Sequence, residues 1–313
     1  MEGYPLKTYK KHALLIVLIP LLLNGCIPIS TTTPKEIEEH KKKIEKERKE
    51  RNEDVLTYTA EDYKAYDAQE TEDITEELRD EIIQATKDYI KKNFHLDIQV
   101  HNILTNIDGV TVYFETKGHI HFFSEVRIPI DLINKRVLGD KVKYYDELLD
   151  NAMKASLYAY MHEEQFSELD RLLGEVAEEN DVVGIRKELI QNIGRQGYMT
   201  PYYYTNYLNS DEALIPVYQK YLDSPSSTKA ELLEVFKSED FDPENIEIHI
   251  QLFMKEPDTD PDEKTFRLLM DKIKTGSQLP KGHYIITLND NQKEKGTIDN
   301  RSLGSKKEEI IIE

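Results

Sequence analysis

The stretch "DIQVHNILTNIDGVTVYFETKGHIHFFSEVRIPIDL", residues 97–132, constrains the fold more than any other part of the chain. Apolar and polar residues alternate along it, and such alternation marks strands buried on one face only. Val110, Val112 and Phe114 face one way in a second strand, as do Ile120, Phe122, Val126, Ile128 and Ile130 in a third. Asp108-Gly109 and Lys117-Gly118 supply tight turns, so three strands are expected to form an antiparallel meander. Its apolar face needs a cover.

Helical periodicity on both sides provides one. Ahead of the strands, Asp73 and Glu76 have capping-box spacing, and Leu78, Ile82, Ala85 and Tyr89 share a helix face. Helices dominate from about Asp146 to Lys237. Leu149, Ala152, Met153 and Tyr160 mark one stripe, and Phe166, Leu169, Leu173 and Val176 mark another. Shorter helices are expected at 185–193, 211–222 and 229–237, the last behind a Thr228/Glu231 capping box. "NIEIHIQLFMK" reads as a strand with Ile246, Ile248, Ile250 and Leu252 inward. Asp260 then caps a helix with Pro261 at its first position, and "HYIITLND" is a last strand. The expected fold class is α+β, a mostly antiparallel sheet with helices packed on one face. It is expected as a single domain over residues 73–290, with a helix-rich candidate subdomain at about 146–237. Residues 291–313 read as a polar tail.

The N-terminus is of a different kind. Lys7, Lys10 and Lys11 precede an apolar run from Ala13 to Leu23. That run is short of the roughly 20 residues needed to span a bilayer and has the length of a signal-peptide core. "LNGC" at residues 23–26 resembles the lipobox of bacterial lipoproteins and contains the chain's one cysteine. Residues 1–25 are therefore expected to be a signal peptide. Cys26 is expected to be the attachment point of a diacylglyceryl group, whose two chains suffice for stable anchoring. Residues 26–72 follow as a charged tether, poor in apolar residues and unable to offset the entropy of ordering. The expected location is the extracytoplasmic face of a cell membrane.

Charge narrows the partners. Against 41 Lys and Arg stand 60 Asp and Glu, a formal charge of -19. A chain this acidic lacks the clustered basic charge that displaces counterions from nucleic acid, so no nucleic-acid partner is expected.

Catalytic signatures are sparse. The chain has no Gly-rich phosphate loop, no G-x-S-x-G elbow and no cysteine besides Cys26. "MHEEQF" begins like a zinc-protease motif, but Phe166 stands where the second histidine belongs, which leaves His162 on the helix surface. In "DTDPDEKTFRLL" the acids Asp258, Asp260 and Asp262 alternate as in a calcium loop. Glu263 holds that loop's glycine position, however, and Leu269 holds its bidentate glutamate. No cofactor is implied, and the chain reads as a non-enzyme.

Two candidate sites remain. On the expected faces, His101, His119, His121, His249 and His283 all project from the sheet's polar side. His119 and His121, two apart on one strand, are candidate metal ligands. A one-sided wet sheet is the competing account. "GYMTPYYYTNYL" concentrates Tyr198, Tyr202, Tyr203, Tyr204 and Tyr207. Tyr202, Tyr203, Tyr204 and Tyr207 read first as a buried, hydrogen-bonded plug between sheet and helices, with a candidate contact surface as the alternative.

"GYMTPYYYTNYL", "IHIQLFMKEPDTDPDEKTF" and "LPKGHYIITLNDN", in that order behind a lipobox, resemble an uncharacterised lipoprotein family of low-GC Gram-positive bacteria, domain-of-unknown-function family 1672. The resemblance covers about residues 73–292. It implies membrane attachment and external exposure, and it brings no catalytic residues. The leading functional reading is a displayed, non-enzymatic module that binds a protein or a cell-wall component. The alternative is a metal or small-ligand binding protein, or a hydrolase with a carboxylate site.

Overall fold

The computed structural model describes residues 50–64, 69–143, 148–194, 197–208, 212–298 and 302–313, with positions 38, 39, 42, 43, 46 and 47. The expected signal peptide and Cys26 lie outside the described residues. Within residues 1–44 the described positions are helical, and Lys42 pairs with Glu38 at 2.8 Å. Residues 45–313 form one compact unit.

That unit begins with β1 (Asn52–Asp54). Val55, Tyr58 and Ala60 after it are buried, so folded structure starts well before residue 73 and the expected tether is shorter. A few separate apolar residues filling a gap carry no period by which to read them. Next come α1 (Gln69–Glu77) and α2 (Arg79–Phe94). The second buries Ile82, Thr86, Ile90 and Phe94, one residue per turn. It stops at His95, whose left-handed backbone (φ 60°) turns its amide onto the Lys91 carbonyl at 3.1 Å.

The expected meander follows as β2 (Ile98–Asn106), β3 (Gly109–Thr116) and β4 (Phe123–Asp131), extended by β5 (Arg136–Val137). Asn106 pairs with Gly109, so the turn is Ile107-Asp108, one residue early. A Cβ on Gly109 would lie 2.3 Å from the Ile128 carbonyl oxygen, so close strand approach requires glycine there. The β3–β4 connection is a six-residue loop, 117–122, and not a tight turn. Thr116 closes it by accepting the Phe122 amide at 2.8 Å while donating to the Ile120 carbonyl at 2.7 Å.

The helical stretch contains α3 (Leu148–Met161), α4 (Glu163–Glu179), β6 (Val182–Val183), α5 (Lys187–Ile193), β7 (Tyr203–Tyr207), α6 (Ile215–Asp223) and α7 (Lys229–Val235). It contacts both sheets within the one unit and is not a separate subdomain. Then come β8 (Ile246–Met254), α8 (Glu263–Thr275), β9 (Gly282–Asn289), β10 (Gln292–Glu294) and β11 (Ser305–Ile312). The cap of α8 is Asp262, two residues beyond the expected Asp260. Its carboxylate accepts the Thr265 amide at 2.7 Å.

The class is α+β and antiparallel pairing dominates, as expected. One sheet was expected, and the described residues form three. Beside the β2–β5 sheet stands a five-stranded sheet in which β8 lies between parallel β9 and antiparallel β6 and β7. β11 extends it by pairing with β9, and β1 and β10 form a small ladder. Residues 292–294 and 305–312 of the expected polar tail are thus strands. One apolar cluster fills the space between the inner sheet faces and the helices, including Val112, Ile128, Ile250, Ile286, Leu169 and Leu269. A second forms where Phe123 and Phe253 on the outer faces meet α5.

Candidate functional site

His101 occupies a β-bulge: the β2–β3 register steps from Val100 opposite Phe114 to Asn102 opposite Tyr113. A bulge re-aims a side chain, and here it turns His101 onto Glu115, with Nε2 2.8 Å from Oε2. From the β3–β4 loop, His121 places Nε2 2.6 Å from Oε1 of the same carboxylate. A carboxylate only accepts, so both Nε2 atoms carry the proton. Ser156 on α3 fixes the His121 backbone by donating to its carbonyl at 2.8 Å. Burial alone would raise the Glu115 carboxyl, but the bonds from His121 and His101 outweigh it and hold it below the usual range. Every strong group in this clamp is satisfied by another.

His119 and His121 do not share a strand. Both lie in the loop before β4, and His119 turns outward to stack on Tyr160 at 5.5 Å. The alternation that was to aim them together does not apply in a loop. Among the described residues no group of three or more His, Cys, Asp or Glu side chains is placed to hold a metal ion. His249 and His283 do lie on the outer face of the larger sheet, paired with Glu247 at 2.9 Å and Glu309 at 3.3 Å.

The tyrosine segment is interior. Tyr203, Tyr204 and Tyr207 are buried at 0 %, 9 % and 3 % exposure and Tyr202 is half-buried, so these side chains pack as a plug and do not form the alternative contact surface. β7 is covered by α3 and α4 on one side, where Phe166 meets Tyr203 at 6.2 Å. On the other, Tyr204 meets His249.

The open site lies elsewhere, at His162 between α3 and α4. A cavity of about 610 Å³ is lined there by Tyr158, His162, Glu164 and Gln165, by residues 276–281 of the α8–β9 connection, and by Ile312 and Glu313. The sequence reading left His162 on a helix surface. In the fold its ring lies 4.4 Å from Tyr158 and 5.8 Å from Phe236. Tyr158 is itself stacked on Phe241 and donates to the Lys281 carbonyl at 2.9 Å. Burial, and then the charge of Lys229, push the His162 imidazole down to about 4, so it is neutral at physiological pH. Its Nε2 and the Gln165 Oε1 are both buried without a hydrogen-bond partner from the protein. Such atoms in native proteins call for a partner. Nothing local in "MHEEQF" signals this, because Tyr158 is joined around His162 by Phe236 and by residues 276–281, which are more than 70 positions away.

The family model for DUF1672, proteins of unknown function, matches residues 45–313. A crystal structure of a DUF1672 family protein from Staphylococcus aureus subsp. aureus Mu50, at 1.80 Å resolution, superposes with a TM-score of 0.68. The two sequences are 15 % identical, and the match covers 83 % of this chain and 97 % of that one. The likeness is therefore one of fold. The comparison with curated proteins returned no match.

Proposed function

We propose, for a chain that belongs to the DUF1672 family of unknown function, that it is a lipid-anchored protein of the extracytoplasmic membrane face whose body is a non-enzymatic binding module. The observation that carries the anchor is the placement of Cys26 at the end of a short apolar run behind three lysines, ahead of the body at 45–313. Among the described residues no helix is long and apolar enough to cross a membrane.

The cavity at His162 supports binding over catalysis. A general base works best with a pKa near the operating pH, and His162 lies near 4. Among the described residues no hydroxyl is hydrogen-bonded to its Nε2.

Mass spectrometry of the membrane fraction from a Gram-positive host tests the anchor. The expected N-terminus is diacylglyceryl-modified Cys26, and Cys26→Ala should move the chain out of that fraction. An unmodified full-length N-terminus in the soluble fraction overturns it. Crosslinking on intact cells tests the binding role, which a yield no greater than background overturns.

A further inference from the structure

We infer that β11 is a docking edge for a second copy of this chain. The two copies of β11 pair antiparallel about a two-fold axis at Glu308, and the larger sheets of both chains run on as one. This goes beyond the reading of the body as a binding module and does not depend on what else that module takes.

The edge is open. β11 pairs with β9 over eight register positions without a bulge. The Asp290 amide donates to the Gly304 carbonyl at 2.9 Å, and the register places these two residues opposite each other, so they form a hydrogen-bonded pair. Bonded and non-bonded pairs alternate along an antiparallel ladder. Lys306, Glu308, Ile310 and Ile312 therefore turn their backbone groups to β9, and Ser305, Lys307, Glu309 and Ile311 turn theirs away. All four of the latter are exposed, and among the described residues no strand takes up their backbone groups. Such an edge is a template for another strand.

Charge selects the occupant. A two-fold partner must set outward positions against outward positions, so the axis passes through a residue. An axis at Lys307 or at Glu309 sets that charge against itself. The axis at Glu308 is the one that matches all four outward positions of the strand with outward positions of its copy, Ser305 with Ile311 and Lys307 with Glu309, each twice. Opposite charges facing across a ladder stabilise it. Within one chain Lys307 already reaches Glu309 at 2.7 Å, so pairing closes a square of alternating charges on one face. On the other face Glu308 meets its copy, and each carboxylate keeps Lys274 of its own chain at 3.6 Å. One strand pair is smaller than the roughly 1,200 Å² of a stable interface. The dilute chain is therefore monomeric, and pairing occurs where copies are concentrated, as an anchor on one membrane would concentrate them.

Disulfide trapping tests this, because Cys26 is the chain's one cysteine. Residues facing each other in a non-bonded pair have Cα atoms about 4.5 Å apart, within reach of a disulfide. Full-length Glu308→Cys, oxidised with copper phenanthroline on intact cells, should give a dimer whose link peptide mapping places at position 308. Ser305→Cys, whose two copies lie roughly 20 Å apart along the strand in this register, should give at least about tenfold less. In the Glu308→Cys background, Lys307→Glu should cut the dimer at least about fivefold, and adding Glu309→Lys should restore it. These positions are exposed, so each variant should melt like the parent. No dimer at 308, equal yields at 305 and 308, a charge reversal without effect or without rescue, or a 308 link to a different protein overturns the inference. The readout is the linked position, so an unmodified Cys26 would overturn the anchor and leave this pattern as it is.

Discussion

Tyr204 and His249 lie ring on ring across the β7–β8 ladder, centroids 4.5 Å apart and planes 5° from parallel. They are direct register partners, so the stack is a cross-strand pair of the kind that stabilises antiparallel sheets. Tyr204 also joins the outer apolar cluster with Phe123 and Phe253. Tyr204→Ala should therefore cost about 3–5 kcal/mol, in the range of large aromatic truncations. Urea unfolding measures this. A tyrosine that served only as a contact surface would cost less than about 0.5 kcal/mol.

The Glu115 clamp sets a pH dependence. Its folded carboxyl lies below the ordinary value because His121 and His101 donate to it against the cost of burial. The native state thus binds the proton less readily than the unfolded chain. The stabilisation is present above the unfolded value of about 4.3 and is lost as pH falls through the lower folded value. Glu115→Gln should lower the melting temperature at neutral pH, and its gap to the parent should be narrower at about pH 3. An equal gap at both pH values would refute this account.

The capping box of α7 is reciprocal: Thr228 accepts the Glu231 amide at 3.3 Å, and Glu231 accepts the Thr228 amide at 2.7 Å. Thr228→Ala should cost about 1 kcal/mol. Chemical denaturation reads this directly, and a variant as stable as the parent would show that the helix end has other support.

Residues 305–312 pair with β9 over eight register positions, and Ile310 and Ile312 pack against the main core. Deleting 305–313 should uncover the β9 edge and turn it into a template for association. Size-exclusion chromatography should show large species, and hydrogen exchange should speed up along β9. A truncated chain that stays monomeric and melts like the parent would mean that the segment is dispensable.

Much of the fold was legible because its signals are local. The inward apolar residues of β3 and β4, the α4 stripe, the Thr228 box and the inward isoleucines of β8 appear as read. The errors share a cause. β11 was missed because an edge strand carries charges, here Lys306 and Lys307, where an inner strand carries apolar residues. His119 and His121 were misplaced because a loop replaced the expected strand. The candidate site was missed because no pattern around His162 distinguishes a buried imidazole from an exposed one.

By itself, then, the sequence determined the periods, the caps, the acidic charge and the α+β class, since each depends on residues within a few positions of one another. Tertiary structure alone decided which polar groups are matched and which are left open. Glu115 is matched by one histidine on the neighbouring strand β2 and another in the β3–β4 loop, and His162 is walled in by a connection near residue 280. Desolvation and hydrogen bonding are set by whichever atoms come to lie nearby, and only the folded chain brings those atoms together.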